Sequence, residues 1–217
     1  LFLWYKPYRN LKIGLKYYIS AIVISLAVFC VPMLVPKGLE VVFIDVGQGD
    51  SIFIRTNAGK TVLIDGGGSS DVTSSYNTGD SVVIPFLLDY GVTKLDIVVG
   101  THGHDDHIQG LIPVLKDFRV DNFIIPDCAD KKEFDELLKV SELRAINVYS
   151  LKKGDKIKLD RKTYFYVLNP DIAFNDKKQS LNNSSLVLKL HYKDVSMLFT
   201  GDIEKEIENK LVQDEEN

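Results

Sequence analysis

Cysteine is scarce, with two in 217 residues. Cys30 lies inside an apolar run and Cys128 near the end of an expected strand, so no bridge between them is expected, although an oxidising compartment would permit disulfides. A basic excess is also lacking: 26 Lys and Arg stand against 30 Asp and Glu, a net charge of −4, and that balance does not by itself attract polyanions. No internal repeat and no low-complexity tract is present, which excludes a repeat array. Histidine is rare as well, and three of the four fall within six positions.

What is present divides into two unlike pieces. From Tyr17 to Val35 the chain reads "YYISAIVISLAVFCVPMLV", without a charge, about long enough to cross a hydrocarbon core at roughly 1.5 Å per residue. A buried core helix would show more of a polar face, and no small-residue cleavage site follows Pro36. The expectation is a transmembrane helix over 17–36, preceded by a basic cytoplasmic flank over 1–16. Lys6, Arg9, Lys12 and Lys16 precede the run with no acidic residue among them, while Lys37 alone follows closely, so the positive-inside rule places the amino end in the cytoplasm and the remainder outside. The part beyond the run carries 22 Lys and Arg against 30 Asp and Glu, about −8, since four of the 26 basic residues fall in the first eighteen positions. The chain starts at Leu1 and reads as a piece of a longer membrane protein.

The second piece is ordinary globular sequence. "LEVVFIDV" (39–46), "SIFIR" (51–55) and "TVLID" (61–65) are β-branched runs broken by "GQGD" and "NAGK", the pattern of a strand meander at a sheet edge. A Gly- and Ser-rich loop leads to a helix from Asp80 to about Tyr90, stopped by Gly91, with Pro85 an awkward interior residue. "LDIVVG" (95–100) reads as a buried strand, followed by the histidine cluster and a helical "IQGLIPVLKDF". "NFIIP" and "INVYS" flank a helix near 131–140, and "KIKL", "TYFYVL", "SLVLKLHY" and "VSMLFT" form a second group of strands, ending in "GD" and an acidic helix. Two strand groups, each trailed by helices, predict an α/β fold of two face-to-face sheets with helices outside.

"GTHGHDDHIQG" (100–110) sits where a strand aims its following loop into a crevice. His102, His104 and His107 stand at i, i+2 and i+5, with Asp106 adjacent to the last. On such a loop two imidazoles can converge on one centre while Asp106 and His107 reach a second, and imidazole with carboxylate but no thiolate suits zinc, manganese or iron. His191, alternating along a strand, reads as structural or solvated.

"THGHDDH" resembles the T-H-x-H-x-D-H signature of the metallo-β-lactamase superfamily, an αββα sandwich of hydrolases holding two metals at one edge. More specifically, "FIDVGQGDSIFI", "LIDGGG", "TGDSVVIPFLLDYGV", "LDIVVGTHGHDDHIQGL", "NNSSLVLKL" and "LFTGDIEKEIE" resemble, in order, the outer domain of the ComEC family of DNA-uptake proteins over Leu39 to Asn217. The resemblance implies two divalent ions, zinc or manganese: His102 and His104 on the first, Asp106 and His107 on the second, Asp202 bridging. It implies further that Asp65 orients a ligand histidine, and that Asp45, Gln48 and Asp50 lie near the site, with Asp106, Asp65 and Asp50 in the catalytic set. By spacing alone Asp65 begins a glycine turn and the other three are hairpin-turn residues.

The pattern is not complete. Where the superfamily supplies another histidine this chain has "KQSLNNSSLVL", so Asn182 or Asn183 is expected to face the site, although an amide is a weak ligand. A "HHGS"-like segment beyond the "TGD" helix is also missing, so the domain over 39–217 is expected to be a truncated αββα sandwich with weakened metal binding. The function implied is a nuclease or phosphodiesterase on the outer face of a cell membrane, used in natural transformation, with DNA, the membrane and other uptake components as partners. A tethered hydrolase of a small ester or phosphodiester, and a catalytically degenerate DNA-binding module, are the alternatives.

Overall fold

In a computed structural model of the chain, residues 14–34, 38–69, 76–129, 132–171 and 180–216 are described, and the chain divides into two compact units, 1–37 and 38–217.

The first unit holds helix α1, Leu15–Leu34, with its described side chains exposed. The expected span thus forms a helix, but it is not established as a membrane crossing: among the described residues no helix is long and apolar enough to cross a membrane. Positions 35 and 36, the basic residues before Gly14 and Lys37 lie outside the described residues.

The second unit begins with a meander of β1 (Glu40–Phe43), β2 (Ile52–Arg55) and β3 (Thr61–Ile64), paired antiparallel. Three parallel strands follow: β4 (Lys94–Val99), β5 (Arg119–Pro126) and β6 (Asn147–Leu151), giving a six-stranded sheet in chain order. Parallel neighbours require crossovers. These are supplied by α2 (Ile84–Asp89), by α3 (Asp105–Ile108) with α4 (Leu111–Asp117), and by α5 (Asp135–Leu143). The second sheet, antiparallel and four-stranded, has the order β10-β9-β8-β7, from β7 (Lys156–Lys158), β8 (Thr163–Asn169), β9 (Val187–Tyr192) and β10 (Val195–Phe199). Helix α6 (Lys205–Glu216) follows the "TGD" turn.

Side-chain alternation builds two cores from one sheet. Leu63, Val98, Phe123 and Ile125 meet Leu87, Leu111, Leu115 and Leu137 of the helices. Val62, Ile64, Ile97, Val99 and Ile124, one position out of step, meet Phe165, Leu188, Leu190 and Phe199 of the second sheet. Each such side chain contributes roughly 1.5–3 kcal/mol of transfer free energy.

Two expected helices differ in detail. Over 79–83 the backbone makes a π-helical turn before α2 starts at Ile84, which puts Pro85 in a first turn, where its missing N–H costs nothing. The helix expected from Ile108 to Phe118 breaks at Gln109–Gly110 because the Gly110 backbone packs against Gly66: a Cβ at Gly110 would lie 2.0 Å from the Gly66 carbonyl oxygen.

Candidate metal centre

Three strand ends deliver the site. The loops after β3 and β4 leave the same edge of the six-stranded sheet because those strands are parallel, and the loop after β10 reaches them from the other sheet. The two sheets are tied at this edge, where the Leu186 N–H donates to the Thr101 carbonyl at 2.9 Å.

Asp65 follows β3 with φ 57, a left-handed conformation that is costly for a non-glycine residue and here fully buried. The turned-back carboxylate takes three donors: the Thr101 N–H at 2.8 Å, the Thr101 hydroxyl at 2.6 Å and His107 Nδ1 at 3.0 Å. Burial pushes the Asp65 carboxyl above its ordinary range, outweighing those donors.

These bonds settle how the imidazoles present themselves. His107 donates Nδ1–H to Asp65, so its Nε2 faces outward, 3.3 Å from Asp202 Oδ1. The single hydroxyl proton of Thr101 goes to Asp65, so the hydroxyl oxygen accepts from His102 Nδ1 at 3.2 Å. His102 Nε2 is therefore left facing His104 Nδ1, 3.1 Å away. Burial opposes charge on His107, but the Asp65 hydrogen bond and charge prevail and raise it to about 9. Burial dominates at His102 and, with His107 and His104 beside it, outweighs the Asp106 charge and pushes that ring down to about 3.

The donor set fits a divalent cation. Among the described residues, His102, His107 and Asp202 each offer a ligand atom, all within 4.8 Å of one another. Two nitrogen ligands at about 2.0–2.1 Å on a tetrahedral ion are about 3.3 Å apart. The His102–His104 and His107–Asp202 separations, 3.1 and 3.3 Å, are close to that value.

His104 borders this group through His102. Asp106 is half-buried next to it, and its charge draws the pKa values of His102 and His107 upward. Gly49 lets the "GQGD" turn close on this loop: at φ +74 its absent Cβ would sit 1.6 Å from the Asp106 carbonyl oxygen. Asp50 is exposed and, with Asp65, Thr101 and Gly201, lines a cavity of about 110 Å³. Asp45 serves its own turn, accepting from the Gly47 N–H at 3.2 Å, and Gln48 is exposed.

Of the two asparagines expected near the site, Asn183 is engaged by a neighbouring loop. Asn183 is buried and spends its side chain on Glu204: Oδ1 accepts from the Glu204 N–H at 2.9 Å and Nδ2 donates to its carboxylate at 3.4 Å. These two bonds orient the Asn183 amide toward the loop that bears Glu204. Asn183 thus clamps the loop bearing Asp202, helped by Ser180, whose hydroxyl donates to Glu204 at 2.9 Å. Asn182 keeps a buried Oδ1 without a hydrogen-bond partner. His191 is far along β9, stacked on Tyr164 and bonded to Ser196 at 3.1 Å. Sequence reasoning missed Thr101 and the Asn183–Glu204 clamp. Thr101 heads the "THGHDDH" motif, which was a usable signal, whereas nothing local marks a bond spanning 21 positions.

The metallo-β-lactamase superfamily profile matches residues 44–166. ComE operon protein 3 of Bacillus subtilis (strain 168) is 34% identical over 194 residues, covering 85% of this chain and 24% of that protein. The chain thus spans about a quarter of the length of this curated relative. Among solved structures, a mutant of the CmlA β-hydroxylase is similar with a TM-score of 0.49 and 16% identity, over 80% of this chain and 33% of that one. A diphosphatase from the PhnP family gives a TM-score of 0.42 and 19% identity, over 69% of this chain and 50% of its own.

Proposed function

The chain belongs to the metallo-β-lactamase superfamily, and from that premise we propose that it is a metal-dependent phosphodiesterase acting on DNA, the outer domain of a membrane DNA-uptake protein. The observation that carries this reading is the meeting of His102 and His107, from one sheet, with Asp202, from the other, at ligand distances. Similarity to ComE operon protein 3 along most of the chain supports DNA uptake as the setting.

In this reading His102 and His104 would hold one divalent ion, zinc or manganese, Asp106 and His107 would hold a second, and Asp202 would serve both. When bound, such a pair lowers the pKa of water toward ~7 and offsets the charge of a phosphodiester. The remaining work belongs to the chain. Asp65 and Thr101 hold His107 and His102 in the tautomers that aim Nε2 at the centre. The Asn183–Glu204 pair keeps the Asp202 loop against the histidines. Asp50, at the mouth of the cavity, is the exposed carboxylate assigned to exchange protons with solvent. α1 is assigned as the anchor, amino end inward, because Lys6, Arg9 and Lys12 precede it and Lys16 stands in its first turn, with no acidic residue among them.

The test is cleavage of single- and double-stranded DNA by the full chain in detergent with manganese or zinc. Loss of cleavage in His104→Ala is expected, and Asp65→Ala should lower metal affinity roughly 10–100-fold. Undiminished cleavage in His104→Ala, or turnover of a small ester with DNA inert, overturns the reading.

A further inference from the structure

We propose that the outward face of β7, β8 and β9 is a stacking platform for single-stranded nucleic acid, separate from the metal centre. The inference rests on DNA being the polymer that the site acts upon.

Charge and ring placement carry it. The chain holds 30 Asp and Glu, yet β7 to β10 contain none at any position, while β1, β4 and β5 each contain one. On this sheet Phe165, Leu188 and Leu190 point into the core, so Tyr164, Tyr166 and His191 lie on the opposite face. The rings form one cluster: Tyr164 and His191 are stacked at 5.2 Å with an interplanar angle of 14°, and Tyr166 stands edge-on to Tyr164 at 5.2 Å. Lys156 Nζ sits 3.8 Å from the Tyr164 centroid, 4.7 Å from that of Tyr166, and 3.3 Å from the Tyr166 hydroxyl. Register sets exposed Lys158 opposite Tyr164, adding a second cation.

A face of neighbouring rings and lysines, on strands that carry no carboxylate, matches what a flexible polyanion with planar bases requires. Bases stack on the rings, the lysines meet phosphates, and a four-stranded sheet is a suitable support. A duplex hides its base faces and cannot use the rings. The platform lies toward the β9–β10 turn: Ser196, opposite His191, precedes Asp202 by six residues, about 20 Å of extended chain. A strand held there approaches the metal loops along β10.

The test is binding of fluorescein-labelled oligothymidylate by the full chain in detergent micelles with EDTA, read by anisotropy. Tyr164→Ala with Tyr166→Ala should weaken binding by about tenfold or more, and Tyr164→Phe with Tyr166→Phe, which keeps the rings, should bind within twofold of the parent. Lys156→Gln should reduce the slope of log affinity against log salt by about 0.7. Circular dichroism separates these effects from misfolding. Binding by a folded alanine pair within twofold of the parent overturns the platform, as does equal displacement by a polyglutamate peptide. Cleavage of DNA by a protein whose binding ignores the rings overturns the platform and leaves the proposed hydrolase standing. Ring-dependent binding by a protein that cleaves no DNA upholds the platform and overturns the hydrolase.

Discussion

The two sheets use the same strand chemistry differently. In the six-stranded sheet, β3 and the carboxyl-terminal halves of β4 and β5 are buried on both faces, between helices on one side and the second sheet on the other, and they read as continuous apolar runs. In the four-stranded sheet one face is core and the other carries tyrosine, histidine and lysine, so β8 alternates between buried and open positions. The first sheet supplies the loops bearing Asp65, His102, His104, Asp106 and His107, and the second supplies Asp202. The lesson is a division of labour: a doubly covered sheet positions most of the site through backbone packing, and a singly covered sheet brings one carboxylate to it through a polar clamp.

Core truncation should break that comparison most strongly. Phe123 is fully buried against the helices, and Phe123→Ala is expected to cost ~3–5 kcal/mol in urea unfolding, whereas Tyr166→Ala on the outward face should cost less than ~1 kcal/mol. Equal costs would mean that both faces of the second sheet are covered.

pH separates two histidines of a single loop. In metal-free protein His107 is raised to about 9 by Asp65, so the folded state holds a proton that the unfolded chain releases above about 6.5. That stability is full below 6.5 and lost as pH climbs through 9, on the order of 3 kcal/mol. His102, pushed down to about 3, acts oppositely: the unfolded chain takes a proton that the fold refuses, so stability falls as pH drops below 6.5. Urea midpoints under EDTA should therefore peak near pH 6.5, with His107→Gln removing the alkaline limb and His102→Gln the acid one. A flat profile contradicts both assignments.

The smallest expected change sharpens the comparison from the other sheet. Asn183→Ala leaves the Glu204 N–H without its acceptor, at about 1–3 kcal/mol, and frees the Asp202 loop while sparing every contact among the histidines. Calorimetric titration with manganese should show affinity reduced roughly tenfold. Unchanged affinity would show that Asp202 needs no clamp.

Much of this was legible in the order of residues. Strands and helices followed from period 2 and period 3.6, and the cluster at 100–110 marked the site, because a loop leaving a buried strand keeps its ligands close in sequence. The π-helical turn before Ile84, the break at Gly110 and the use of Asn183 were not legible. The last two depend on a partner distant in sequence: Gly66 for Gly110 and Glu204 for Asn183.

By itself the sequence determined the two strand groups, an apolar helix expected over 17–36 and observed at Leu15–Leu34, and the candidate ligands, since hydrophobic period and local spacing are properties of short segments. Only the tertiary structure decided which imidazole nitrogens face the centre, that Asp202 stands 3.3 Å from His107, and that Tyr164, Tyr166 and His191 share one open face. The reason is physical. Tautomers and approach distances are set by partners from other strands, such as Asp65, and no property of a local segment specifies where a residue 42 positions away will lie.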